Sequence, residues 1–65
     1  MKKRYLLKPI GDLSNPDRFV LNLAKEGEFM YSDVKHATVF TKYEAKTFIK
    51  ECKDIMFTMI TVYTH

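Results

Sequence analysis

Tryptophan and glutamine are absent from this 65-residue chain, cysteine occurs once, and glycine and proline occur twice each. A single cysteine, Cys52, excludes an internal disulfide. With only His36 and His65 beside it, no metal-ligand spacing is present and no cofactor is expected. Two glycines exclude a glycine-rich phosphate loop. No apolar run reaches the length of a membrane span. Lys8 and Pro9 cut short the apolar "YLL" behind the basic start, so a signal peptide is not expected. Without that signal and without paired cysteines, the expected location is the cytoplasm.

What is present is the composition of a folded chain, 46% hydrophobic and 14% aromatic. Residues 1–65 are read as one domain. A chain this short buries roughly 60% of its unfolded surface, and its core rarely supplies more than about 3–5 kcal/mol. Self-association is therefore a plausible route to added stability. The formal net charge is +3, mildly basic, with acids interspersed throughout. That balance permits a nucleic acid or an acidic protein surface as partner and requires neither.

Along the chain, Arg4 to Ile10 reads as a first strand, with Pro9 confined to its end or to an edge. Gly11 to Asp17, "GDLSNPD", is the clearest loop. A second strand is expected from Arg18 to Lys25, with Phe19, Leu21 and Leu23 on one face and Val20, Asn22 and Ala24 on the other. Lys25 to Glu28 forms a hairpin turn with Gly27 at a positive φ, and Phe29 to Tyr31 return as a third strand. Ser32 to His36 is a turn begun by Asp33, and Ala37 to Phe40 a short extended segment. Thr41 and Glu44 have the spacing of a capping box, with Phe40 just before it and Ala45 at the staple position. Ala45, Phe48, Ile49 and Cys52 form the apolar stripe of a helix that fades near Asp54. Met56 to Tyr63 is the last strand. The expected fold is α+β: a small antiparallel sheet of three to four strands in the order ββ(β)αβ, with one helix packed on one face.

The candidate sites follow from this layout. Lys42, Lys46, Lys50 and Lys53 fall at i, i+4, i+8 and i+11, and Lys2, Lys3 and Arg4 form a basic cluster. The preferred reading of the ridge is a solvated helix face with a Lys50–Asp54 pair; the alternative is contact with nucleic-acid phosphates. Two arginines and no glutamine leave little for base readout. Tyr5, Phe19, Phe29, Tyr31, Phe48, Phe57 and Tyr63 suit a core more than a base-stacking platform. His36 reads as a surface residue and Cys52 as a small buried hydrophobe; a Cys52–His36 dyad would lack an orienting third group. Glu26, Glu28 and Asp33 read as a polar turn ahead of a weak cation site.

One helix covers one sheet face, yet both strand faces carry apolar groups. An interaction face including Leu6, Val20, Met59 and Tyr63 is therefore expected, taking another protein or a second copy as partner. No catalytic constellation and no small-molecule substrate are evident. The chain is read as a non-enzymatic interaction module, with non-specific nucleic-acid binding through Lys3, Arg4 and the helix lysines as the alternative.

Ala37, Phe40, Thr41, Glu44 and Ala45 spell A-x-x-F-[ST]-x-x-E-A after a hairpin. This resembles a pattern found in small phage and prophage proteins, where a helix and a last strand follow. The entry is also similar to that of arm-type DNA-binding domains of integrases, which place a three-stranded sheet in a DNA groove. The chain departs from those domains in lacking their arginines and tryptophan and in adding a strand after the helix.

Overall fold

A computed structural model describes residues 1–23 and 28–64. The strands are β1 (Lys2–Pro9), β2 (Phe19–Asn22), β3 (Phe29–Ser32) and β4 (Phe57–Thr64), with one helix, α1 (Lys42–Glu51), between β3 and β4. A 3₁₀ turn, Ile10–Asp12, follows β1. The class is α+β, as the sequence predicts. The strands form two antiparallel ladders, β1–β4 and β2–β3, where a single sheet was expected. Of the expected turn from Lys25 to Glu28, Lys25 to Gly27 lie outside the described residues, as do Ala24 and Lys25 at the end of the expected second strand.

The two ladders are joined through Thr38–Phe40. Tyr5 and Phe40 exchange backbone bonds, the Thr38 N–H donates to the Val20 carbonyl at 3.0 Å, and the Asn22 N–H donates to Thr38 Oγ1 at 2.7 Å. The short extended segment before the helix thus lies between β1 and β2, and the layer runs β4, β1, residues 38–40, β2, β3.

Local chemistry explains the element ends. The Ile10 N–H donates to the Met56 carbonyl at 3.0 Å, in the same register as Pro9 opposite Phe57. Even-numbered residues of β1 therefore bond to β4, and odd-numbered ones point the other way, as Tyr5 does toward Phe40. Pro9 falls on an odd position, so its missing N–H costs the β1–β4 ladder nothing. The helix opens with the full capping box: the Thr41 N–H donates to Glu44 Oε1 at 2.9 Å and the Glu44 N–H to Thr41 Oγ1 at 3.2 Å. It ends at Glu51, one turn earlier than expected, with the Cys52 N–H donating to the Phe48 carbonyl at 3.0 Å.

The core lies between α1 and the strand layer. Leu7, Val20, Phe40, Ala45, Phe48 and Phe57 are buried there, with Tyr5, Phe29, Tyr31, Ile49, Cys52 and Met59 packed around them. Phe29, Phe48 and Phe57 meet pairwise at centroid separations of 5.4–5.7 Å, mostly edge to face. Such pairs add about 0.5–1.5 kcal/mol each beyond area burial.

Candidate interaction surfaces

Register and burial together divide the layer into a helix side and a far side. Leu7 pairs with Met59 and Val20 with Tyr31, and all four belong to the core; their neighbours in sequence must face away. The far side therefore carries Arg4, Leu6, Lys8, Thr58, Ile60 and Val62 from the β1–β4 ladder. From the other ladder it carries Phe19, Leu21, Met30 and Ser32.

This division corrects the expected interaction face. Val20, Met59 and Tyr63 belong to the helix side and Leu6 alone to the far side. Val20 is fully buried and Leu6 is 4% exposed, so neither is open to a partner; Tyr63, 64% exposed, is. Alternation along a strand tells which residues share a face but not which face meets the helix, and that choice is made by packing. The far side still exposes apolar groups. Met30 is 52% exposed, and Val39, which neighbours core Phe40 in the extended segment and so turns away from the helix, is 48% exposed; Leu21, Ile60 and Val62 are half-buried.

Part of the far side is closed by the Gly11–Asp17 loop, held by a residue that periodicity did not single out. Lys8 is 2% exposed. Its ammonium donates to the Asn15 carbonyl and sits 4.1 Å from the centre of the Phe19 ring. Two further bonds shape the loop: the Asn15 N–H donates to the Asp12 carbonyl at 3.1 Å, and the Asp17 N–H to Asn15 Oδ1 at 3.0 Å. The turn chemistry of Asn-Pro-Asp was legible; that it would dock onto Lys8 was not. A lysine flanked by leucine and proline late in a strand was the available signal.

The basic residues do not gather into one surface. Lys42, Lys46 and Lys50 are exposed along α1, whereas Lys53 lies beyond the helix end. No ion pair joins Lys50 to Asp54 among the described residues, because Asp54 is outside the helix. Lys3 and Arg4 alternate across β1: the Lys3 ammonium is 5.9 Å from the Tyr5 ring centre, and Arg4 Nη1 donates to the Lys3 carbonyl at 2.9 Å. The aromatics expected in the core are there, apart from exposed Tyr63 and from Phe19 on the far side.

His36 is exposed, and its Nδ1 lies 2.7 Å from Asp33 Oδ1, which also accepts the His36 N–H. That bond to His36 holds the Asp33 carboxyl below its usual range. The pair closes the turn begun by Asp33, with the Ala37 N–H donating to the Asp33 carbonyl at 3.1 Å. Cys52 is half-buried and lines a shallow pocket with Phe29, Glu51, Lys53, Asp54 and Ile55. Burial, then the neighbouring Glu51 charge, raises its thiol above the ordinary 9.0, so it is a poor nucleophile at neutral pH. Among the described residues, no group of three or more His, Cys, Asp or Glu converges; Glu26 of the expected acidic cluster lies outside them. No described helix is long and apolar enough to cross a membrane.

No family model matches this chain, and comparison with curated proteins and with solved structures returned no significant match. The residues that carry the phage-type resemblance have structural duties here: Thr41 and Glu44 cap the helix, and Phe40 and Ala45 fill the core.

Proposed function

We propose that this protein is a non-enzymatic protein–protein interaction module, of the accessory kind found among small phage-type proteins, that docks through its strand layer. The observation that carries this reading is the far side of the layer. There Met30 on β3 is exposed opposite half-buried Leu21, Val39 is exposed between β1 and β2, and Ile60 and Val62 are half-buried on β4, with no second helix over them among the described residues. Exposed apolar groups on a layer only partly closed by a loop are the usual mark of a docking surface. The test is affinity capture from a lysate of the source organism. The native chain is compared with Met30→Asp/Val39→Asp, two exposed changes that leave the core intact. Capture that survives moderate salt and is lost in the variant supports the reading; equal capture by both chains overturns it.

A second reading rests on Lys42, Lys46 and Lys50, exposed along one helix and free of ion pairs among the described residues. It predicts nucleic-acid binding of roughly micromolar strength that weakens steeply with salt. Unshifted DNA and RNA mobility at low salt removes it.

A further inference from the structure

We infer that β4 pairs antiparallel with β4 of a second copy, about a two-fold axis through Ile60, making one continuous layer from two chains. This rests on the interaction-module reading and names its partner. β4 is an edge strand: among the described residues it pairs with β1 alone. All eight of its residues, Phe57–Thr64, are uncharged, and none is proline or glycine. Edge strands are ordinarily blunted by charge, proline, bulges or brevity. The other edge, β3, is blunted: it has four residues and is flanked by Glu28 and Asp33. β4 carries none of these devices.

The phase of the β1–β4 ladder specifies how a second copy fits. Thr58, Ile60, Val62 and Thr64 bond to β1, so the N–H and C=O groups of Phe57, Met59, Thr61 and Tyr63 point to the open side. That odd-numbered set is symmetric about Ile60. In an antiparallel pair centred there, Phe57 meets Tyr63 of the second copy and Met59 meets Thr61, so every outward group finds a partner. Opposed residues share a face, so both helices stand on one side of the joined layer. On the other side Ile60 packs against its own copy and Thr58 against Val62. No charged residue is brought against a like charge. The two-fold contact consumes both β4 edges and leaves only the short, acid-flanked β3 edges outside, so assembly closes at a dimer.

The test uses the full chain. Light scattering with size-exclusion chromatography is expected to show concentration-dependent growth from 7.7 kDa to twice that mass. Thr61→Pro removes an outward N–H and leaves the β1 ladder intact; dimer affinity should fall at least about tenfold with unchanged far-UV circular dichroism. In a Cys52→Ser background, Ile60→Cys should oxidise to a covalent dimer, since facing residues at a non-bonded position lie about 4.5 Å apart. Thr58→Cys, on the same face but far from its own copy, should not. Equal cross-linking of the two, a dimer indifferent to Thr61→Pro, or a monomer at millimolar concentration overturns the inference. A monomer that retains salt-resistant, Met30- and Val39-dependent capture overturns the β4 pairing alone and leaves the module reading in place.

Discussion

Tyr5 and Phe40 exchange both backbone hydrogen bonds, at 2.9 Å from the Tyr5 N–H and 2.8 Å from the Phe40 N–H. This one pair ties the first strand to the entrance of the helix. The Phe40 ring, 5.5 Å from that of Phe48, then fills the space between strand layer and α1. Backbone pairing and core packing therefore meet in a single residue.

Phe40→Ala should cost about 3–5 kcal/mol, as much as the whole stability of about 3–5 kcal/mol expected for a core this small. The variant is expected to be largely unfolded in water by circular dichroism. Phe40→Leu keeps most of the volume and should lose less than about 1.5 kcal/mol in urea denaturation. A folded Phe40→Ala with a native urea midpoint contradicts this role.

The capping box makes stability sensitive to acid. Bonding to the Thr41 N–H, then to its hydroxyl, holds the Glu44 carboxyl below its ordinary 4.5. A folded-state value below the unfolded one means the contribution is complete above 4.5 and lost as pH falls through the folded value. Thr41→Ala should cost about 1 kcal/mol near neutral pH. Glu44→Gln should flatten the fall in urea midpoint as the pH drops below 4.5. Asp33 is also lowered and titrates in the same direction, so Asp33→Asn serves as the separate control.

Lys8 holds the Gly11–Asp17 loop with a buried ammonium that has no carboxylate within ion-pair distance among the described residues. The lost hydrogen bond and ring contact are offset by the relief of burying a charge, so Lys8→Met should change stability by less than about 1 kcal/mol. Lys8→Glu sets a buried carboxylate against a carbonyl oxygen and a ring face; it should cost more than about 3 kcal/mol. Urea denaturation of the two variants measures both, and equal stabilities would contradict the assignment.

Cys52 should be slow to react. Its thiol is raised mainly by burial, so iodoacetamide at neutral pH should label it more slowly than in the urea-unfolded chain. Labelling at the unfolded rate would mean that the thiol is open to solvent and not raised.

Some elements could be read at once because their causes are local. Thr41 and Glu44 satisfy each other's backbone within four residues, so the helix start was visible in the spacing alone. Asp33 closes its own turn onto His36 for the same reason. The helix end was less legible: Lys53 and Asp54 continue a tolerable helical pattern, yet the chain leaves at Cys52 to deliver Phe57 to the core. Of the expected interaction residues, Met59 and Tyr63 do share a face, as alternation requires, but it is the helix side.

By itself the sequence determined where the strands alternate, where the helix begins and that no internal disulfide staples the fold, because these depend on neighbours a few residues apart and on composition. Tertiary structure alone decided that β4 pairs with β1 and keeps a long uncharged edge open. It also decided that Val20 turns inward, and that Lys8 disappears beneath a loop. Each of those is a choice between two faces or two partners of equal local merit. Only the competition to bury apolar surface across distant parts of the chain distinguishes them.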